Sequence, residues 1–213
     1  LAVSVNLSDP RVRRTRQLLL DAFMELVGER NSIYTITVQD ITERAEVNRS
    51  TFYAHFEDKY ALLESWMRAK FNRSLATALA GASSLTYENL QTLVGAVFVF
   101  LARFRSFQRQ VDKQYEPLFE VCLQQELYEV LLGWLKEVTP GLPGVTATPL
   151  SHRSVTVETT AMVSGWAILG PAIQWSRGDQ EYPAEEMAGQ VMAVVVAALS
   201  PLVELKALAQ LSS

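Results

Sequence analysis

The chain has 213 residues, 49% of them hydrophobic, and a formal net charge of −4 from 19 Lys and Arg against 23 Asp and Glu. That length suffices for one or two domains with a sizeable core. Cys122 is the single cysteine, which excludes an internal disulfide and fits a reducing cytoplasm; with only His55 and His152 beside it, a structural zinc site lacks its usual ligands.

The opening LAVSVNLSDP has no basic start and no apolar run of signal length, so no secretory leader is expected, and the absent methionine suggests trimming. Arg11, Arg13, Arg14 and Arg16 then form a cluster with no acid among them. Such a cluster is either a solvated arm or a contact to phosphate and the minor groove. A first amphipathic helix is expected over about Arg11 to Arg30, burying Leu19, Phe23, Leu26 and Val27. Asn31 and Ser32, with apolar Ile33 and Ile36, link it to the next helix.

The segment Thr37–Leu63, TVQDITERAEVNRSTFYAHFEDKYALL, reads as two short helices joined by a tight turn. Ile41, Ala45, Phe52 and Phe56 recur at helical spacing and form the apolar seam. Thr37 is an N-cap with Asp40 in the first turn, and Asp40 and Arg44 stand at i and i+4. Glu46-Val47-Asn48 makes the turn, with Val47 as its apolar plug and Asn48 capping a helix over Arg49–His55; Asp58 caps the next one. On a wheel of about 100° per residue, Ser50, Thr51, Tyr53 and Ala54 face away from Phe52 and Phe56. That mixture of small groups and hydrogen-bonding groups suits base edges and flanking phosphates in a major groove, where Arg49 reaches either.

A long helix over about Asp58 to Leu79 carries Leu62, Leu63, Trp66 and Met67, and Gly81-Ala82-Ser83-Ser84 ends it. Thr86 caps a helix to about Phe107, and another runs from about Pro117 to Val138. TPGLPGVTATP, Thr139–Pro149, holds three prolines and two glycines and is a loop. His152, beside Arg153, marks a helix start at the surface. Two last helices, about Arg153 to Arg177 and Tyr182 to Leu199 with an extension toward Leu211, lie either side of Gly178-Asp179. Both are apolar or small over more than one face: Ala161, Ser164, Gly165, Ala167 and Gly170 on the first; Ala188, Gly189, Met192, Val195, Val196 and Leu199 on the second. Burial on two sides is therefore expected. Pro171 is expected to kink its helix near Ala167 or break it after Gly170. The fold class is therefore all-α, and no apolar run reaches the roughly 20 residues of a membrane span.

Residues 1–73 hold 11 basic against 10 acidic side chains, and the remainder 8 against 13, so the acid sits toward the C-terminus. No spacing of Ser, His and acid assembles a nucleophile with its base, and the glycines form no phosphate cradle. Neither an enzyme nor a bound cofactor is expected. Cys122, between Val121 and Leu123 in mid-helix, reads as an inert buried thiol, with a redox sensor as the alternative.

The frame Ile41, Ala45, Val47, the run Thr51-Phe52-Tyr53-x-His55-Phe56, and Lys59 with Leu62-Leu63 resemble the N-terminal domain of TetR-like bacterial transcriptional regulators. The likeness covers about Arg13 to Trp66. It departs at Glu46, where the family usually has glycine and a left-handed glutamate would cost about 1 kcal/mol. The resemblance implies a helix-turn-helix DNA-binding domain over residues 9–57, a regulatory and dimerisation domain over 58–213, and a ligand-responsive regulator, a repressor, that binds a pseudo-palindromic operator as a homodimer. Carried over residue by residue, it makes Gln39, Arg49, Ser50, Thr51 and Tyr53 contacts to bases or groove walls and gives His55 and Lys59 to phosphate, while Arg13 and Arg14, in the cluster ahead of them, are expected at phosphate or in the minor groove. It pairs the last two helices with those of a second subunit; a purely intramolecular core is the alternative. It also implies a cavity for an apolar or aromatic ligand. Trp66, Phe98, Arg105, Phe119, Cys122, Trp166 and Gln174 are candidates for its wall, with Arg103 as a further polar group. Phe100, Phe104, Phe107, Tyr115, Trp134 and Trp175 are core or wall. A helical coactivator that contacts a partner protein is the second functional reading.

Overall fold

The computed structural model describes residues 9–30, 32–108, 116–138, 156–178, 180–200 and 202, with side chains at all of these except 105–108 and 116. The expected loop over 139–149, His152, Tyr115, Asn31, Asp179, the extension to Leu211 and the opening segment lie outside the described residues, as do the side chains of Arg105 and Phe107. Among the described residues every regular element is a helix: α1 (Pro10–Arg30), α2 (Val38–Arg44), α3 (Arg49–His55), α4 (Lys59–Leu79), α5 (Tyr87–Gln108), α6 (Glu116–Val138), α7 (Val157–Arg177) and α8 (Ala184–Leu199). None of them is long and apolar enough to cross a membrane.

The chain divides into two compact units. The first holds the chain through Ala69 together with Ser106–Phe119; the second holds Lys70–Arg105 and the chain from Glu120 onward. In the first unit α1, α2 and α3 close on one apolar centre, because Leu19, Phe23, Val27, Ile33, Ile36, Ile41, Phe52, Leu62 and Leu63 recur at helical spacing and are all fully buried or nearly so. Burying a ring such as Phe52 contributes about 2 kcal/mol. Phe52 and Phe56, one turn apart, meet at 5.9 Å between ring centroids.

In the second unit the remainder of α4 contributes Phe71, whose ring meets Phe100 of α5 edge-on at 4.9 Å. Phe100 stacks on Phe104 one turn along at 5.6 Å, and Phe98 lies 5.3 Å from Trp175 of α7. Thr86 caps α5 by accepting from the Asn89 amide at 3.1 Å. α7 and α8 form an extensively packed helix pair, and the Trp175 indole donates to the Tyr182 carbonyl at 2.9 Å, fixing the turn between them. Gln124 of α6 lies against α7 where Gly165 leaves room: a Cβ there would come within 2.9 Å of the amide.

Three local expectations are corrected. Of the two alternatives at Pro171 the break is ruled out, because α7 continues through it; buried Ile168 and Leu169 before it and Ala172 and Ile173 after it hold both halves in one apolar layer, which offsets the backbone bond that proline cannot make. Asn48 occupies the N-cap of α3 without a side-chain cap bond; its carbonyl instead accepts from Thr51 and Phe52 at 2.9 and 3.2 Å. Asp40 and Arg44 do not pair with each other. α1 runs beside α2 and offers closer partners, so Asp40 takes Arg30 at 2.8 Å, and Arg44 takes Glu29 at 2.9 Å and Glu25 at 3.2 Å.

Candidate nucleic-acid interface

Two helix ends fix the geometry of the α2–α3 unit. At the start of α2 the Thr37 hydroxyl accepts from the Asp40 amide at 3.1 Å while the Asp40 carboxylate accepts from the Thr37 amide at 2.7 Å, a reciprocal capping box. At its end the Val47 amide donates to the Thr42 carbonyl at 3.0 Å and the Glu46 amide to Glu43 at 3.2 Å. Those two bonds define a Schellman motif, whose left-handed position falls on Glu46, at φ 54°. The departure from the family pattern at this position is thus a real left-handed glutamate, held because both backbone bonds and the half-buried Val47 close the turn around it.

With the turn set, α3 buries Phe52 and exposes Arg49, Ser50, Tyr53 and Ala54, while Thr51 and His55 are half-buried. Tyr53 is 51% exposed, its ring standing edge-on to Phe52. Gln39 is exposed on α2 and donates to Glu43 at 2.8 Å. Arg13 and Arg14 are exposed on the first turns of α1. The ion pairs of α1 and α2 engage Glu25, Glu29 and Asp40. Arg13, Arg14 and Arg49 have no acid partner among the described residues. These turns therefore offer cations that no described acid compensates.

Two cations work inward instead. Arg16, grouped in the sequence with the arm, donates to the His55 carbonyl at 2.8 Å and to the Ser65 hydroxyl at 3.0 Å, and its guanidinium sits 4.2 Å from the Phe56 ring centroid. A cation at the C-terminal carbonyl of α3 complements the helix dipole, and burial pushes its pKa down. Lys59, expected at phosphate, directs its ammonium to the carbonyls of Ile33, Tyr34 and Ile36 at 3.0, 3.0 and 2.7 Å. All three donors are used inside the unit, so Lys59 braces the α1–α2 connection. A signal for this was present: a lysine in the first turn of a helix stands at the wrong end of the dipole and needs another reason to be there. His55 lies beside Arg16; burial first, and the Arg16 charge second, push its pKa down and favour the neutral imidazole. A phosphate contact from it would be a neutral hydrogen bond.

Residues 19–65 match the family described as bacterial regulatory proteins of the tetR family. An uncharacterised HTH-type transcriptional regulator of Bacillus subtilis (strain 168), YxbF, is 38% identical over 60 residues, 28% of this chain and 16% of that protein, so the chain spans only a small part of it. The HTH-type transcriptional repressor DhaR of Mycobacterium sp. (strain GP1) is 28% identical over 174 residues, 78% of this chain and 83% of that protein. A TetR transcriptional regulator from Streptococcus agalactiae 2603V superposes with a TM-score of 0.54 at 20% identity, covering 89% of this chain and 97% of that one. FadR of Bacillus subtilis, solved with stearoyl-CoA, gives 0.52 at 19% identity, covering 85% and 98%.

Residues 19–65 thus carry the likeness to the TetR family, and the solved structures extend the likeness of fold over most of the chain. The residues expected at DNA fall into an exposed set, Arg13, Arg14, Gln39, Arg49, Ser50 and Tyr53, and a half-buried set, Thr51, His55 and Lys59. The ligand candidates scatter more. Phe98, Phe119 and Cys122 are buried and Trp66 is half-buried. Trp166 and Gln174 lie on the outer side of α7, because Ala161, Ile168, Leu169 and Ala172 turn its opposite arc inward. The side chain of Arg105 is not described, and Arg103 is exposed.

Proposed function

We propose that this chain is a ligand-responsive transcription regulator, a repressor, that binds a pseudo-palindromic operator as a homodimer. The observation that carries the reading is the braced α2–turn–α3 unit, with Arg49, Ser50 and Tyr53 presented together on a helix whose opposite side is anchored by Phe52. Side chains of this kind read base edges and groove walls, and Arg13 and Arg14 add phosphate or minor-groove contacts. The similarity to DhaR, a repressor, supports the sign of regulation.

Dimerisation is supported by an outward apolar stripe on the α7 and α8 pair. Met162, Val163 and Trp166 of α7 are 53, 54 and 43% exposed, Val194 of α8 is 61% exposed, and small Gly170, Ala193 and Ala197 are exposed with them. Of the apolar and small residues read on these two helices, Ala161, Ser164, Gly165, Met192 and Val195 are buried within the chain itself, while Gly170 belongs to the outward stripe. A two-fold pairing of this stripe would bury both copies at once. α4 belongs to both units, so a ligand held in the second unit that shifts α4 alters the separation of two paired heads and lowers affinity through lost bivalency. The solved FadR complex with stearoyl-CoA supports ligand response. Such a regulator acts in the cytoplasm, where the DNA is.

Selection of DNA fragments by the full chain tests the reading. The expected product is a two-fold site with half-sites about 34 Å apart or at a multiple of that spacing. Arg49→Ala should relax base preference and cost about 1–3 kcal/mol in operator affinity with unchanged thermal stability. Replacing Arg13 and Arg14 by alanine should weaken all sequences alike and reduce the salt slope by about 2. Recovery of no enriched sequence would sink the proposal.

A further inference from the structure

Buried serine and threonine hydroxyls on helices ordinarily return to a carbonyl of their own preceding turn. Ser176 of α7 does so, donating to the Ile173 carbonyl at 2.8 Å, as does buried Thr42 of α2, donating to the Gln39 carbonyl at 3.0 Å. Thr160 and Ser164 do not. They stand one turn apart on α7, 4% and 0% exposed, and neither hydroxyl has a hydrogen-bond partner among the described residues. At the next residue, Gly165, the Gln124 amide lies on the helix. Its Nε2 donates to the Met162 carbonyl at 3.1 Å, while its Oε1 is buried and unpartnered. Leaving such groups unsatisfied costs roughly 1–3 kcal/mol each, and three of them in one short stretch mark a place built for a partner.

The same side of α7 continues through Ile168 and Pro171 to Trp175, which meets Phe98. Pro171 has no N–H to give the Ala167 carbonyl, so one more acceptor on this side lacks its helical donor. The stripe thus runs from hydrogen-bonding groups at its N-terminal end to apolar and aromatic surface at the other. No charged side chain belongs to the buried arc of α7. The buried charged group of α6 is an acid, Glu126, held by Asn72.

We infer that Thr160, Ser164 and the Gln124 Oε1 form the polar end of the ligand site in the second unit, and that the ligand is an elongated apolar molecule ending in a neutral hydroxyl or carboxamide. This deepens the ligand-responsive reading and rests on it. Gln124 Oε1 and the Ala167 carbonyl require a donor, which a carboxylate lacks; the two hydroxyls donate or accept as needed. A carboxylate or phosphate there would be desolvated, and the buried arc of α7 offers it no cation among the described residues.

The test uses the full-length protein and three chain-matched probes, 1-decanol, decanamide and decanoate, with thermal shift and tryptophan fluorescence as readouts. Decanol and decanamide are expected to bind and decanoate not. The double variant Thr160→Val with Ser164→Ala should lose at least about ten-fold in affinity for the neutral probes. Its melting temperature without probe should stay equal or rise, because the substitutions remove unpaired buried hydroxyls. Equal binding of decanoate, binding untouched by the double variant, no binding of either neutral probe, or a clear drop in its melting temperature would each overturn the site. Operator release is read separately on the selected DNA. Probe binding through these residues without a change in DNA affinity would remove the ligand-responsive reading and leave the site; release that persists in the double variant would do the reverse.

Discussion

The two units spend their polar groups in opposite ways. In the first, interior cations and hydroxyls are engaged: Arg16 by a carbonyl and a hydroxyl, Lys59 by three carbonyls, Thr42 by the Gln39 carbonyl. His55 Nδ1 is the exception there. In the second, Gln124, Thr160 and Ser164 hold buried polar atoms without partners among the described residues. A reading element works by presenting side chains at fixed positions, which rewards internal satisfaction. A regulated element does better with groups that a ligand completes, because only differential interaction shifts an equilibrium.

The most severe challenge to that contrast is Lys59→Met. If the ammonium braces the head, the loss of three charge-assisted bonds should cost about 2–3 kcal/mol in chemical denaturation of the full chain. Amide exchange should rise first around Ile33, Tyr34 and Ile36, whose carbonyls are freed. A lysine working at phosphate would behave differently, with unchanged stability and a reduced salt dependence of operator binding. Full stability with that DNA phenotype would return Lys59 to the interface.

Glu46→Gly probes the same unit from the other direction. The Schellman turn already has both of its backbone bonds, so a residue free to adopt φ 54° should relieve strain without changing the turn. The expected gain is about 1 kcal/mol, or roughly 2–4 °C in melting temperature for a chain of this size. A loss would mean that the glutamate side chain contributes something the turn geometry does not reveal.

The distinction between what was legible in the sequence and what was not tracks the range of the interactions. Caps at Thr37, Asp58 and Thr86 depend on neighbours within a few residues, and the structure has them where the sequence puts them; at Glu46, where the sequence left open a different turn or a strained one, the structure has the strained left-handed one. The capped helices, and the apolar period of Ile41, Phe52 and Phe56, likewise carry their own signal. Arg16 to Ser65 and Lys59 to Ile33 span 49 and 26 residues, and no local pattern specifies such partners. The misreading of Asp40 and Arg44 has the same cause, since α1 supplied competitors from 10 to 19 residues away. On α7 a wide apolar surface was legible, but its division between core and outward stripe was not: Ser164 and Gly165 are buried while Trp166 is exposed.

The smallest expected effect is a pH limb from Asp40. Arg30 above all, then the Thr37 hydroxyl and amide, hold its carboxyl well below the usual carboxylate range. The unfolded chain, with an ordinary value of 3.8, takes up its proton before the folded chain does. The group therefore stabilises the head fully at pH values above that figure, and its contribution drains away as the pH falls through the depressed folded value. Asp40→Asn has no such limb. The melting-temperature gap between wild type and Asp40→Asn should be constant from about pH 7 to pH 5 and narrow below about pH 4. Its size should stay modest, because Asp40 and Arg30 remain partly in water and their attraction is screened. A gap that keeps the same width down to the lowest pH measured would show that Asp40 acts as a neutral cap for α2, with its charge irrelevant; a gap that narrows already near neutrality would point to a different titrating group, and His55, whose lowered pKa makes stability fall as the pH drops below 6.5, is the one in the head placed to do it.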